Sequence, residues 1–260
     1  MQNIALTLAY LGTNYHGFQR QPDQQTIQGT LENAASSLFG TPITVYGCGR
    51  TDAGVHAKIY CANFHVETSI PIERIPFALN THLPPDIVVQ RAQIVPTDFH
   101  AITSCIKKEY TYQIFNRPIP DPFFQTTSYH YGASLDVAAM THAAKAFVGT
   151  HDFAAMKSEG SSTKTTVRTV FAYEIEQKGN LISLRAAADG FLYNMARTMA
   201  GTLLYVGIRK IQPDAIPQLL QNADRTQAGP TLPPQGLAMT GILYPNPFTH
   251  ENNTQRPILS

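Results

Sequence analysis

The 260-residue chain is poor in cysteine, and none of Cys48, Cys61 and Cys105 belongs to a CxxC pair or stands at metal-type spacing with the nine scattered histidines. A disulfide framework and a structural zinc site are therefore not expected. Also lacking is an apolar run near the ~20 residues needed to cross a bilayer, and the N-terminus enters a strand pattern rather than a signal peptide. A cytoplasmic protein without a membrane anchor is predicted. Charge of one sign is scarce, with 19 Lys+Arg against 18 Asp+Glu, a formal net of +1, so no strong long-range field arises. No low-complexity tract interrupts the chain.

What is present is a globular composition: 43% hydrophobic and 14% charged residues, with 18 prolines and 17 glycines spread along the chain. The length suffices for one large domain or two ordinary ones, each with a substantial core. The charge is unevenly placed. Residues 1–100 carry 5 Lys+Arg against 7 Asp+Glu, net −2, and residues 101–210 carry 12 against 8, net +4. A basic face in the second half could meet phosphates, although charge runs are most often solvated surface.

Alternating Ile4, Leu6, Leu8 and Tyr10 predict a first strand, ended by the glycine-rich stretch 12–17. Thr26 can cap a helix carrying Ile27, Leu31, Ala34 or Ala35 and Leu38, which Gly40 ends. A strand at 43–48, a strand through Tyr60, Ala62, Phe64 and Val66, a short helix at 71–80 and a strand at 86–95 complete the first half. The second half repeats this order loosely. A strand at 106–114, a helix through Val137, Met140, Ala144 and Phe147, strands at 169–177 and 180–188, a helix at about 191–208, another near Pro213 and a strand at 237–244 are expected. Two split βαβ halves result, an α+β class of ferredoxin-like halves with an antiparallel sheet and a cleft between them. The boundaries are 1–104 and 105–245, with 246–260 as a polar, proline-interrupted tail expected to be mobile.

Residues 49–57 read Gly-Arg-Thr-Asp-Ala-Gly-Val-His-Ala and set the Asp52 carboxylate two residues after Arg50 in a glycine-flanked loop. Gly47, Gly49 and Gly54 allow unusual backbone and close ligand approach, so a carboxylate held there can be aimed. The plain alternative is a turn in which Asp52 bonds only its own backbone. The segment 17–21 adds an aromatic, an amide and a cation. Tyr110, an aromatic on a strand beside Lys107 and Lys108, suits a base stacked over a backbone phosphate, although a strand tyrosine is more often a core residue. Arg197 lies among the inward candidates Phe191, Leu192, Met195, Met199, Leu203 and Leu204, where an unpaired charge is costly. Asp52 can be its partner, or the guanidinium can snorkel to solvent.

In order, GFQRQ at 17–21, GRTDAGVHA at 49–57, LPPDI at 83–87, DFHA at 98–101, KKEYTY at 107–112, VRT at 167–169, GFLYNMARTMAGTLLYVG at 190–207 and GLAM at 236–239 span nearly the whole chain. Together they resemble the tRNA pseudouridine synthase A family, which acts on the anticodon stem-loop of transfer RNA. The resemblance implies a uridine-to-pseudouridine isomerase working at tRNA positions 38, 39 and 40. It implies Asp52 as the aspartate required to break the N1 to C1′ bond, so that the uracil turns and rejoins through C5. It implies Tyr110 packed on the target base with a role in proton transfer, Arg197 paired with Asp52, Arg50 displacing the target nucleotide and Leu237 as an apolar wall. Further substrate contacts are implied at Phe18, Gln19, Arg20, His56, Lys107, Lys108 and Arg168. The resemblance also implies a homodimer that meets the tRNA at both anticodon stem-loop and elbow. The product is an isomer, so no cofactor and no metal are implied.

Relatives usually carry tryptophan where this chain has Phe18, and glutamine, asparagine and glutamate where it has Tyr60, Thr198 and Tyr205. These departures bear on which uridines are accepted and remove none of the proposed catalytic groups. Two other classes fit parts of the pattern. A non-catalytic RNA-binding module could share the paired halves, but the alternating aromatic signature of RNA-recognition domains is missing. An aspartate-dependent glycosidase needs a second carboxylate, for which Asp23, Asp86 or Asp98 are candidates, none in a comparable loop.

Overall fold

The computed structural model describes residues 1–160 and 163–245, and the expected tail at 246–260 lies outside them. The strands are β1 (Gln2–Tyr10), β2 (Tyr46–Gly47), β3 (His56–Val66), β4 (Ile87–Val95), β5 (Lys107–Asn116), β6 (Tyr129–Tyr131), β7 (Gly149–Asp152), β8 (Val167–Lys178), β9 (Leu181–Ala188) and β10 (Leu237–Leu243). The α-helices are α1 (Ile27–Phe39), α2 (Ile75–Asn80), α3 (Val137–Ala144), α4 (Met195–Gly207) and α5 (Ile216–Asn222). All ten strands join one sheet in the order β4-β1-β3-β10-β5-β9-β8-β7, with β2 beside β3 and β6 beside β5. The pairings are antiparallel except β10 with β3 and β5 with β6. This is the expected α+β class.

Local chemistry explains the elements. Thr26 Oγ1 accepts the Gly29 N–H and opens α1, while Gly40 at φ 68° closes it in the left-handed conformation. Asp136 caps α3 by accepting from Ala139 N–H. The alternating apolar residues of β1 meet those of β3 face to face, Ile4 opposite Phe64, Leu6 opposite Ala62 and Leu8 opposite Tyr60. They share one continuous core with Ile27 and Leu31 of α1, Tyr112 and Ile114 of β5, and Met199 and Leu203 of α4. Each such side chain contributes roughly 1.5–3 kcal/mol by leaving water.

Two expectations need correction. The strand predicted at 43–48 shrinks to Tyr46–Gly47, because the Ile43 N–H donates to Ser36 Oγ and the Val45 N–H to Glu32 Oε1, both on α1. Side chains of the helix take the bonds a neighbouring strand would have taken. The helix predicted from 191 begins at Met195, and residues 191–194 form a turn in front of it. Short strands β6 and β7 have no clear alternation and escape a sequence reading. The join between the two halves of the chain is narrow: β10 crosses back to pair with β3 at Ala238 opposite His56 and Met239 opposite Ala57. That crossing brings Leu237 and the Asp52 loop together.

Candidate active site

Residues 48–55 connect β2 to β3 and are fixed from several sides. Phe18 N–H donates to Thr51 O at 3.1 Å, Val55 N–H to Asp52 O at 3.1 Å, and the Cys48 N–H to Cys61 O at 2.9 Å. The Tyr10 and Thr51 hydroxyls share a bond of 2.9 Å. Tyr60 donates its hydroxyl to Gly49 O and so ties down the start of the loop. Two glycines are required for different reasons. Gly54 has φ 79°, whereas at Gly47 a Cβ would stand 2.3 Å from both the Phe18 ring and the Tyr60 hydroxyl.

The fixed loop forms one wall of a cavity of about 780 Å³. Asp52 enters it and meets Arg197, from the first turn of α4, at 3.3 Å between Oδ2 and Nη1. Their side chains are 24% and 14% exposed. Arg197 is aimed by two further acceptors, Leu232 O at 2.7 Å from Nε and Asn194 Oδ1 at 2.7 Å from Nη1. Burial raises the Asp52 carboxyl above its ordinary value, and the charge and hydrogen bond of Arg197 pull it part of the way back. The guanidinium thus favours the ionised form, as expected, yet burial prevails. Burial also raises the Tyr110 phenol, with smaller contributions from Cys48 and Asp52, so the ring enters the cavity as a neutral hydroxyl.

The cavity unites Gln19, Arg50, Asp52, Lys108, Tyr110, Arg197 and Leu237 of the predicted set. Tyr110 is 8% exposed, more buried than a surface stacking platform, and Phe191 meets its ring edge to face at 5.0 Å. Five other residues do not line the cavity. Phe18, 3% exposed, is stacked on Tyr60 at 4.5 Å inside the core and presents no surface to a ligand. Arg20 is bound to Glu32 of α1. Lys107 alternates with Lys108 along β5 and belongs to the other face of the strand. Arg168 folds back on Thr165 O and Val167 O.

His56 is displaced by a change of register. Leu8 pairs with Tyr60 but Tyr10 pairs with Ala57, so β3 carries one extra residue and everything before it switches face. The buried imidazole accepts the Gly12 N–H at Nδ1, which fixes the proton on Nε2, and Nε2–H reaches Thr126 O at 2.8 Å and Gln235 O at 3.1 Å. Burial lowers its pKa. His56 is a neutral post bracing three loops, beside a separate cavity of about 170 Å³ lined also by Thr111 and Ala238.

The cavity wall also contains His16, Phe191, Tyr193 and Asn194, which a sequence reading misses as site residues. All but His16 stand in the 190–207 segment, where helical periodicity reads Phe191 as a core residue and gives Tyr193 and Asn194 no role. Thr198 and Tyr205 do not line the cavity: Thr198 bonds Thr231 at 3.1 Å, and Lys210 covers the Tyr205 ring at 4.6 Å. Among the described lining residues Asp52 is the one acid, against the cations Arg50, Lys108 and Arg197. Asp86 is engaged instead by the Tyr15 hydroxyl at 2.7 Å and by Asn14. A paired-carboxylate hydrolase is not built here.

The family model described as tRNA pseudouridine synthase matches residues 7–103 and 143–245 of this chain, including the Asp52 loop, Arg197 and Leu237. The chain belongs to the tRNA pseudouridine synthase family. Over 244 residues it is 43% identical to tRNA pseudouridine synthase A of Acetivibrio thermocellus, covering 94% of this chain and 100% of that one. With tRNA pseudouridine synthase A of Thermoanaerobacter sp. the identity is 44% at the same coverage. With tRNA pseudouridine synthase A 2 of Clostridium perfringens it is 43%, again over 94% and 100%. The synthase family's match is interrupted at 104–142, the stretch that holds β5 with Tyr110 and Lys108.

Proposed function

We propose that this chain isomerises uridine to pseudouridine in tRNA, with Asp52 acting on the sugar of a uridine drawn out of its stack into the cavity. The observation that carries the reading is a single carboxylate, held by Arg197, facing an aromatic and an apolar wall in a cavity edged by cations. Chemistry on a stacked base requires that the base leave its stack and be received by such walls. Tyr110 and Leu237 receive the uracil, and exposed Arg50 with Lys108 meets the flanking phosphates. Ionised Asp52 serves as nucleophile at C1′ or as base at C2′, and both roles need the charged carboxylate that Arg197 supports. The N1–C1′ bond breaks, the ring turns, and a C5–C1′ bond forms. The C5 proton passes to solvent and N1 ends protonated, so the reaction is balanced without a co-substrate.

Within this reading the substrate region is the anticodon stem-loop at positions 38, 39 and 40, and the protein works in the cytoplasm. Residues 1–104 and 105–245 act as the two halves that close on the base. A homodimer, presenting the +4 stretch of residues 101–210 twice, holds one tRNA at stem-loop and elbow and offsets the chain's near-neutral charge. Unmodified tRNA bearing tritium at uridine C5 tests the activity. Tritium released to water without free uracil is the expected result. No release from any tRNA refutes the isomerase, and free uracil marks a glycosidase. Sedimentation tests the dimer, and a fully active monomer would contradict it.

A further inference from the structure

Asn194 stands at the N-cap of α4, where an asparagine ordinarily turns its side chain onto the helix's free N–H groups. It makes no such bond. Its backbone is left-handed, with φ 63° and ψ 2°, a conformation asparagine tolerates better than most residues. The carboxamide is thereby directed elsewhere. Oδ1 accepts from Arg197 Nη1 at 2.7 Å, shorter than the 3.3 Å from that nitrogen to Asp52, and Nδ2 donates to Ser158 Oγ at 2.9 Å. The backbone repeats the link, since Ser158 N–H donates to Tyr193 O at 3.2 Å. Ser158 belongs to the segment after the 3-10 turn Ala154–Met156, and Gly160 and Thr163 of that segment line the cavity.

We propose that Asn194 is a positioning residue for the Arg197 guanidinium and couples it, through Ser158, to the segment that follows Met156. This rests on the isomerase reading above. Nη1 reaches both Asp52 and Asn194, so the direction in which Arg197 presents its charge to the carboxylate is set by where the carboxamide stands. RNA touching Gly160 or Thr163 bears on that setting from outside the reacting atoms. Small displacements of an aiming group are felt strongly in turnover.

Asn194→Gly is the informative variant, because glycine keeps the left-handed backbone and removes only the carboxamide. The expected result is a kcat lower by roughly 10- to 100-fold, by analogy with other misaimed catalytic groups, with KM for tRNA within about twofold. The acid limb of the pH profile should move to higher pH, since a poorly aimed guanidinium supports ionised Asp52 less. Arg50, Lys108, Tyr110, His16 and Arg197, the other titratable or charged groups around the cavity, are unchanged in this variant. Ser158→Ala, outside the cavity wall, should give a smaller loss of roughly 3- to 10-fold in kcat with the limb moved the same way. A glycine variant with wild-type kcat and an unmoved acid limb overturns the role, and so does one that loses only melting temperature. Should that variant fail to fold, Ser158→Ala decides by the same two readouts. Wild-type protein run alongside separates the readings: no tritium release from it refutes the isomerase and this role together, whereas an active wild type with an equally active glycine variant refutes this role alone.

Discussion

Replacing Arg197 with methionine keeps the length of the side chain but removes the guanidinium that meets Asp52, Asn194 and Leu232 O. At 3.3 Å and an effective dielectric constant of about 20, the attraction between Arg197 and Asp52 is about 5 kcal/mol before desolvation is subtracted. Both groups are mostly withdrawn from water, so desolvation consumes much of that figure, and Asp52 keeps enough exposure to be screened. A net loss of about 2–4 kcal/mol in stability follows, from the uncompensated carboxylate and two orphaned acceptors. For a chain of this size that is a fall in melting temperature of roughly 5–15 °C. Catalysis should suffer more. An aimed cation beside a reacting centre is worth about 10²- to 10³-fold, and burial then raises Asp52 without opposition. Tritium release should drop by that factor at neutral pH, and the acid limb should move upward. Arg197→Lys should recover little, because one ammonium cannot satisfy acceptors arranged for a planar fork. Tritium release within threefold of wild type in the methionine variant, with an unmoved acid limb, would refute the pairing argument.

Asp52→Asn should abolish tritium release while tRNA binding, read by filter retention, stays near wild type; any retained turnover contradicts the assigned role. Because the folded Asp52 pKa is raised, its ionisation opposes folding above the ordinary carboxylate range, so this variant should melt no lower than wild type at pH 7, and its relative advantage should fade as pH drops through that range. His56→Ala leaves the buried Gly12 N–H and the part-buried Thr126 O and Gln235 O without their partner and should destabilise by about 1–3 kcal/mol, leaving kcat per folded molecule intact. The lowered His56 pKa gives stability that is present above the ordinary imidazole value and lost as pH falls through the folded one, a loss absent from the alanine variant. Thermal melts across pH check both statements. Tyr60→Phe removes the hydroxyl that holds Gly49 O and should lower stability by about 1 kcal/mol, with reduced kcat through a looser loop; unchanged values in both would deny the loop its anchor.

By itself the sequence determined what depends on local order. Period-two alternation in β1, β3, β5, β8 and β9, the Thr26 cap and the Gly40 stop are near-neighbour effects, so their elements were legible. The glycine-flanked Asp52 loop was legible too, because its residue types are demanded by a positive φ at Gly54 and by close packing at Gly47. Only the tertiary structure decided which side chains meet. One extra residue in β3 sends His56 to the opposite face, an effect of pairing with β1 that no property of residues 56–60 announces. Phe18 is absorbed by Tyr60, and Arg20 by a buried glutamate on α1. Arg197 lies 145 positions from Asp52 and reaches it because β10 returns to β3 and the turn at 191–194 sets the start of α4. Short-range sterics write themselves into sequence period, whereas a cavity is made by long-range closure, whose geometry is shared among segments that carry no mark of one another.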